Sequence, residues 1–140
     1  NIRTAAYVSP SNNVFTGAVM PVGRRYELLR WAAANDSYII EDDYDSEFRY
    51  TGRPIPTLQS MDKNGRVIYI NTFTKSLAPS MRISYMVLPK QLCGRFTARL
   101  GFYSCTVPVF EQYVLSQLIL SGDFERHINR VRRKRRKELK

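Results

Sequence analysis

A lysine and an arginine, Lys75 and Arg82, follow a short apolar run at 67–70 and lie among hydroxyl side chains. A lysine kept in a cleft loses solvation, which lowers its pKa and lets its amine form a Schiff base. An arginine offers a rigid fork of donors that suits a phosphate dianion, and Thr72 and Thr74 add hydroxyl groups nearby. The ordinary alternative for both cations is a solvated surface position.

An acidic stretch at 41–47 follows a second apolar run, at 38–40. Three interpretations are open for it. It can be a solvated loop, or it can bind a metal ion, although the spacing lacks the glycine and the terminal glutamate of an EF-hand loop. In the third interpretation the stretch binds a heterocycle. Asp42 then pairs with a protonated ring nitrogen, and the phenol of Tyr44 hydrogen-bonds to a ring oxygen.

Together these residue types match the needs of pyridoxal phosphate. Its aldehyde condenses with a lysine, and its phosphate needs cations and hydroxyl groups. Its pyridine ring must stay protonated to act as an electron sink, so a carboxylate faces the ring nitrogen. No single element is specific for this cofactor, whereas the combination is.

The elements that would position these residues alternate between strands and helices. Apolar runs predict strands over 4–9, 38–40, 67–70 and 82–88. Helices are expected over 21–34, 90–100 and 108–120, and from Asp123 onward. In the first helix, one apolar face is expected to contain Tyr26, Leu29, Ala32 and Ala33. The run at 38–40 is continuous, which is typical of a strand covered on both faces.

This alternation predicts an α/β fold with a mostly parallel sheet. In such sheets ligands bind at the carboxyl ends of the strands. Two stretches that carry the candidate residues, 41–47 and 71–75, lie at such ends. Their position is what connects the chemistry of the residues with the fold.

Charge is unevenly distributed along the 140 residues, whose formal net charge is +10. Residues 126–140 hold nine Lys and Arg and one acidic residue, a net +8 that leaves +2 for residues 1–125. The basic segment can bind nucleic acid phosphates, but a solvated helix face is the favoured interpretation. The single histidine, His127, has no partners at metal-ligand spacing, and its isolation argues against a catalytic triad.

Two cysteines, Cys93 and Cys105, form no CxxC motif, which fits idle or buried thiols in a reducing cytoplasm. No apolar run approaches the roughly 18 residues that a membrane span needs. A cytoplasmic protein without a metal site is therefore expected.

Three stretches closely resemble the effector domain of MocR-type bacterial transcription regulators: IEDDYDSEFRY at 40–50, GRPIP at 52–56 and VIYINTFTKSLAPSMR at 67–82. These regulators join a winged helix-turn-helix domain to a domain similar to fold-type I aminotransferases. The resemblance extends from Tyr7 to the basic tail. It implies a three-layer fold with a mostly parallel sheet, in which the strand at 82–88 runs antiparallel.

Carried over residue by residue, the resemblance implies that Lys75 forms the internal aldimine of pyridoxal 5'-phosphate and that Asp42 pairs with the pyridine nitrogen. It implies that Tyr44 bonds to the ring oxygen and that Arg82 binds the phosphate. Thr72 and Thr74 match hydroxyl positions near that phosphate.

Two positions of the site leave alternatives. Ordinary aminotransferases space the aspartate and the tyrosine as D-x-x-Y, which would select Glu41, whereas the shorter MocR-type spacing selects Asp42. Upstream, the family has a His-Gln-Phe-Pro-like run where this chain has Asn-Asn-Val-Phe at 12–15. Either Asn12 or Asn13 is therefore expected to reach the ring oxygen.

The resemblance also implies that the chain is a fragment of a longer protein. Residues 1–122 would form the central part of the large, cofactor-binding domain, and 123–140 a basic helix leading toward a C-terminal small domain. The DNA-binding domain would lie outside this chain. The implied partners are a second copy of the protein, a small amine or amino-acid effector, and DNA through that N-terminal domain; no membrane is expected.

Three functions follow from these observations. The first is the pyridoxal-phosphate-binding effector and dimerisation domain of a regulator, and the resemblance favours this regulatory role over a catalytic one. The second is a working aminotransferase, in which Lys75 also shuttles the proton. The third, more remote, is a basic nucleic-acid-binding module that acts through 126–140.

Overall fold

A computed structural model describes residues 4–13, 16–44, 55–74, 77 and 81–138. In this part of the chain the strands are β1 (Ala5–Val8), β2 (Tyr38–Asp42), β3 (Val67–Thr72) and β4 (Ser84–Val87). The helices are α1 (Val22–Ala34), α2 (Leu58–Met61), α3 (Lys90–Leu100), α4 (Val109–Leu120) and α5 (Asp123–Glu138). The predicted Schiff-base residue, Lys75, lies outside the described residues.

The strands form one sheet in the order β1-β2-β3-β4. β1 and β3 both run parallel to β2, and β4 runs antiparallel to β3. This topology confirms the predicted α/β fold with a mostly parallel sheet, and it confirms the antiparallel last strand. The carboxyl ends of β1, β2 and β3 therefore lie at the same edge of the sheet.

The hydrophobic core lies on one face of the sheet. Leu29 and Ala32 of α1 pack with Ile39, Leu58 and Val67. Along β2 the side chains alternate between buried and half-buried positions, which is the period of a strand with one fully covered face. Within the described residues β2 is therefore not covered equally on both faces, contrary to the expectation from its continuous apolar run.

Helix α1 begins after Pro21, whose backbone is extended, and ends at Asn35. Tyr26, which is expected on the apolar face of this helix, is 54% exposed, so that part of the expectation is wrong. The buried positions are Arg25, Leu29 and Ala32, four and three residues apart along one side of the helix. An arginine is thus buried on this side of the helix, whereas the tyrosine that follows it is exposed.

The C-terminal helices differ in how much apolar surface they cover. In α5, Phe124 meets the ring of Phe73 edge-on, with 5.6 Å between the centroids, and Ile128 is buried. In contrast, α4 leaves Val109, Phe110 and Leu120 highly exposed. None of the helices within the described ranges is both long and apolar enough to cross a membrane.

Candidate cofactor site

The sheet brings most of the predicted site residues to one edge. Asp42 is the last residue of β2, and Thr72 is the last residue of β3. Thr74 follows in a turn and is half-buried. Because Ser84 pairs with Thr72 in the antiparallel ladder, Arg82, two residues earlier, lies at this same edge. Arg82 is exposed, and Lys75 falls among the residues that the structure does not describe.

Three successive carboxylates at the end of β2 have different environments. Glu41 and Asp43 are almost completely buried, whereas Asp42 is half-exposed. This difference follows from the alternation of side chains along a strand. The middle carboxylate is therefore the one directed away from the buried face.

Glu41 is fully engaged inside the protein. Its two oxygens accept hydrogen bonds from the backbone N–H groups of Leu58 and Gln59, each at 2.8 Å. Burial raises the pKa of this carboxyl, while the two N–H donors and the nearby Arg25 act in the opposite direction. Glu41 thus anchors the start of α2, and the D-x-x-Y alternative would place the ring-nitrogen partner on a residue that is already committed to the fold.

Asp43 connects the ends of three strands. One of its oxygens accepts a hydrogen bond from Ser11, in the loop after β1, and the other accepts from the hydroxyl of Tyr69 at 2.9 Å. The side-chain amide of Asn71 donates in turn to the hydroxyl oxygen of Tyr69, at 3.0 Å. Burial and the negative charge of Asp43 raise the pKa of Tyr69, so the phenol remains a donor.

Asp42 is held by two donors from different elements. The hydroxyl of Tyr7, on β1, donates to Oδ2, and the backbone N–H of Tyr44 donates to Oδ1 at 3.2 Å. The hydrogen bond to Asp42 is the main reason why the pKa of Tyr7 is raised. Tyr44 itself lies in the turn that follows β2 and is half-buried.

A cleft of about 630 Å³ opens beside Asp42. Its polar lining residues include Tyr7, Asn13 and Asp42, and its apolar lining residues include Val19 and Met20. The side-chain oxygen of Asn13 accepts hydrogen bonds from the backbone N–H and the hydroxyl of Thr16, at 3.0 and 3.1 Å. The cleft therefore brings together two of the predicted cofactor residues, Asp42 and Asn13. Asn12, the alternative to Asn13, is exposed.

Arg25 holds the loops near the cleft through hydrogen bonds to their backbone. Its guanidinium donates to the backbone carbonyls of Met20, Pro56 and Pro10, at 3.1, 2.8 and 2.9 Å. Two of these carbonyls, from Pro10 and Met20, belong to the loop between β1 and α1, which flanks the cleft, and the third belongs to the loop before α2. Arg25 is completely buried, and its bond to Pro10 is buried with it, which strengthens that bond.

Sequence reasoning missed three of these residues. Tyr7 seemed to be an ordinary strand residue, yet the parallel register that pairs it with Ile40 places it beside Asp42. Arg25 was not singled out, because nothing in the sequence around an arginine in a helix indicates the distant carbonyls that it will bind. Asp43 was one of several acidic residues whose burial only the strand alternation could have indicated.

Relatives of this chain belong to two kinds of protein, transcription regulators and aminotransferases. It is 50% identical over 132 residues to the HTH-type transcriptional regulator YdeL of Bacillus subtilis, covering 94% of this chain and 28% of that protein. It is 41% identical over 127 residues to the probable rhizopine catabolism regulatory protein MocR of Rhizobium meliloti, covering 91% and 26%. The chain thus spans little more than a quarter of these regulators.

Among solved structures, the kynurenine aminotransferase of Pyrococcus horikoshii, crystallised with PMP, matches with a TM-score of 0.84 and 35% identity. The match covers 93% of this chain and 32% of the aminotransferase chain. No family model matches the sequence. The fold is therefore that of part of a fold-type I aminotransferase domain.

Proposed function

Because this chain belongs to the MocR-type transcription regulators, as a segment of their aminotransferase-like domain, we propose that it binds pyridoxal 5'-phosphate as the effector and dimerisation domain of a bacterial regulator. The observation that carries the proposal is the position of Asp42. Its carboxylate lies at the carboxyl edge of a mostly parallel sheet, directed to a cleft, while the carboxylates on either side of it are buried.

The described residues fit this cofactor. A pyridine nitrogen that stays protonated needs a carboxylate that is accessible and fixed, and Asp42 meets both conditions. When bound, the cofactor supplies an electron sink for amine chemistry. Two donors already bind Asp42 and fix its orientation, and its remaining acceptor positions suit the N–H of a protonated ring nitrogen.

The remaining roles follow from the family and from placement at the same edge. Lys75, three positions after the end of β3, is proposed to attach the cofactor covalently through Nζ. Thr72, Thr74 and Arg82 are proposed to bind the phosphate. Of the two asparagines, Asn13 is proposed to reach the ring oxygen, because it lines the cleft with Asp42, and Tyr44 is proposed to bind the same oxygen.

The rest of the regulator is proposed on the basis of its relatives. Residues 1–122 would be the central part of the large domain, and 123–140 the helix leading toward the small domain. DNA would be bound by a separate N-terminal domain, in the cytoplasm. A small amine or amino acid would be the effector, and its reaction with the cofactor would shift the equilibrium between conformations of the dimer.

The homodimer is proposed from the resemblance to the regulators. The exposed Val109, Phe110 and Leu120 of α4 form apolar surface that a second copy or the rest of the full-length protein can cover. The apolar side of α5 is packed through Phe124 and Ile128. This packing supports the interpretation of α5 as a helix that leads toward the small domain rather than as a nucleic-acid-binding module.

An active aminotransferase is the second candidate. The similarity to the kynurenine aminotransferase of Pyrococcus horikoshii favours it, since local chemistry at the cofactor would be the same in both. A turnover assay on the full-length protein separates the two. A pure regulator gives no steady production of keto acid from an amino donor, whereas an enzyme gives many turnovers per cofactor.

The first test is covalent trapping in the full-length protein. We would add pyridoxal phosphate, reduce with borohydride and locate the modified peptide by mass spectrometry. The proposal expects modification at Lys75, and its loss in Lys75→Arg but not in the control Lys90→Arg, which changes an exposed lysine at the start of α3. Modification spread over surface lysines would contradict the proposal.

A further inference from the structure

We propose that Tyr7 is a positioning residue that holds the carboxylate of Asp42 toward the cofactor's ring nitrogen. This inference rests on the proposed function, because it concerns the same site. It adds a residue of β1 to the machinery that prepares Asp42 for binding. The hydrogen bond from the Tyr7 hydroxyl to Oδ2 of Asp42 carries it.

The sheet register explains how the two side chains meet. Tyr7 pairs with Ile40 in the parallel ladder between β1 and β2. Asp42 lies two residues beyond Ile40, and side chains two apart along a strand share a face. Tyr7 and Asp42 are therefore diagonal neighbours on one face, within reach of a long aromatic side chain.

The two oxygens of Asp42 are bound by donors from different elements. Tyr7 binds Oδ2 from the neighbouring strand, and the backbone N–H of Tyr44 binds Oδ1 from the turn after β2. An ionised carboxylate offers about four acceptor positions. Two donors thus restrict the rotation of the carboxylate and still leave acceptor positions for the N–H of a bound pyridinium.

The environment of Tyr7 favours a positioning role over a role in packing the core. Its side chain is 62% exposed, so its hydroxyl does not fill the core. Both Tyr7 and Asp42 line the cleft. Removing the hydroxyl alone should therefore leave the fold intact and change only how Asp42 is presented.

The test uses the full-length protein and the variant Tyr7→Phe. Only the part of this hydrogen bond that orients Asp42 affects binding, so we expect the Kd for pyridoxal phosphate to rise roughly tenfold. The control Tyr26→Phe removes a hydroxyl from an exposed tyrosine of α1, and its Kd should equal that of the wild type. The unfolding temperature of the apoprotein should be the same in all three proteins.

Two further measurements show whether Tyr7 acts through Asp42. In the background of Asp42→Asn, the change Tyr7→Phe should have little additional effect on the Kd, which is the non-additivity expected of coupled residues. With cofactor labelled by 15N in the ring, the nitrogen resonance of Tyr7→Phe should differ from that of the wild type. A purely structural role for the hydroxyl would not move that resonance.

The outcomes are distinct. An unchanged Kd in Tyr7→Phe, an equal loss in the Asp42→Asn background, or a lower unfolding temperature of the apoprotein would each overturn the inference. If the wild-type protein itself is not labelled at Lys75 by borohydride trapping, the proposed function fails. If labelling succeeds and Tyr7→Phe binds like the wild type, the inference about Tyr7 alone fails.

Discussion

Glu41 and Asp42 are neighbours in β2, yet their carboxylates serve opposite sides of the sheet. Glu41 is buried and accepts hydrogen bonds from two backbone N–H groups of α2, whereas Asp42 lines the cleft. The same chemical group therefore has a structural role at one position and a proposed cofactor role at the next. This division leads to separate predictions for each residue.

Replacing Asp42 with Asn should weaken cofactor binding without unfolding the protein. The amide keeps the shape of the side chain but loses the negative charge that stabilises a protonated ring nitrogen. Loss of a hydrogen bond between charged partners of about 1.5–3 kcal/mol corresponds to a rise of roughly 10- to 100-fold in the Kd for pyridoxal phosphate. Equilibrium dialysis measures this Kd. The control is Glu27→Gln, which changes an exposed carboxyl group of α1. Equal affinities would show that Asp42 does not face the ring.

Glu41 should make stability depend on pH in the acidic range. Because burial raises its pKa above the ordinary value, the folded state binds its proton more tightly than the unfolded state. Its contribution is therefore fully present below the unfolded pKa of about 4.5 and is lost as pH rises through the raised folded pKa.

The measurement is urea denaturation of the wild type and of Glu41→Gln at several pH values. The difference in free energy of unfolding, wild type minus variant, should fall as pH increases through that window. A difference that rises with pH would mean that the two N–H donors outweigh burial.

Ser11 and Tyr69 should stabilise the protein together, because both donate to the buried carboxylate of Asp43. Ser11→Ala leaves a buried charged acceptor short of a donor, so it should lower the free energy of unfolding by about 1–3 kcal/mol. Tyr69→Phe should cost a similar amount, and the double variant should differ from the sum of the single ones. The control Ser104→Ala, at an exposed position, should change stability by less than about 0.5 kcal/mol. Additive effects would contradict a shared network.

Two consecutive arginines allow a matched comparison. Arg25→Met removes three hydrogen bonds that a completely buried guanidinium donates to backbone carbonyls and should cost about 3 kcal/mol or more. Arg24→Met breaks an exposed ion pair with Glu27 and should cost less than about 1 kcal/mol. Denaturation midpoints of the two variants measure the difference. Similar losses would mean that the Arg25 bonds are replaced by water.

Much of the fold could be predicted from local pattern. The strands are short apolar runs followed by polar residues, and the helices have prolines at their starts, as at Pro21 and Pro108. Placement of the polar stretches at strand ends was sufficient to propose a site there. These features depend on residues close in sequence, which is why periodicity and turn chemistry detect them.

Features that depend on distant residues could not be predicted in this way. The start of α2 is fixed partly by Glu41, which lies 17 positions upstream of Leu58. Arg25 is buried and binds three carbonyls from two loops, and no pattern within α1 indicates these contacts. The contact between Tyr7 and Asp42 requires the register of two strands that are separated by a helix.

The alternation in β2 also limits how this segment can change during evolution or engineering. A single-residue deletion between Tyr38 and Glu41 would exchange the two faces of the strand's end. It would direct Asp42 into the core without donors and send two carboxylates outward, leaving the first turn of α2 without its acceptor. We therefore expect β2 to accept many conservative replacements but to reject insertions and deletions, so that its length is under stronger constraint than its composition.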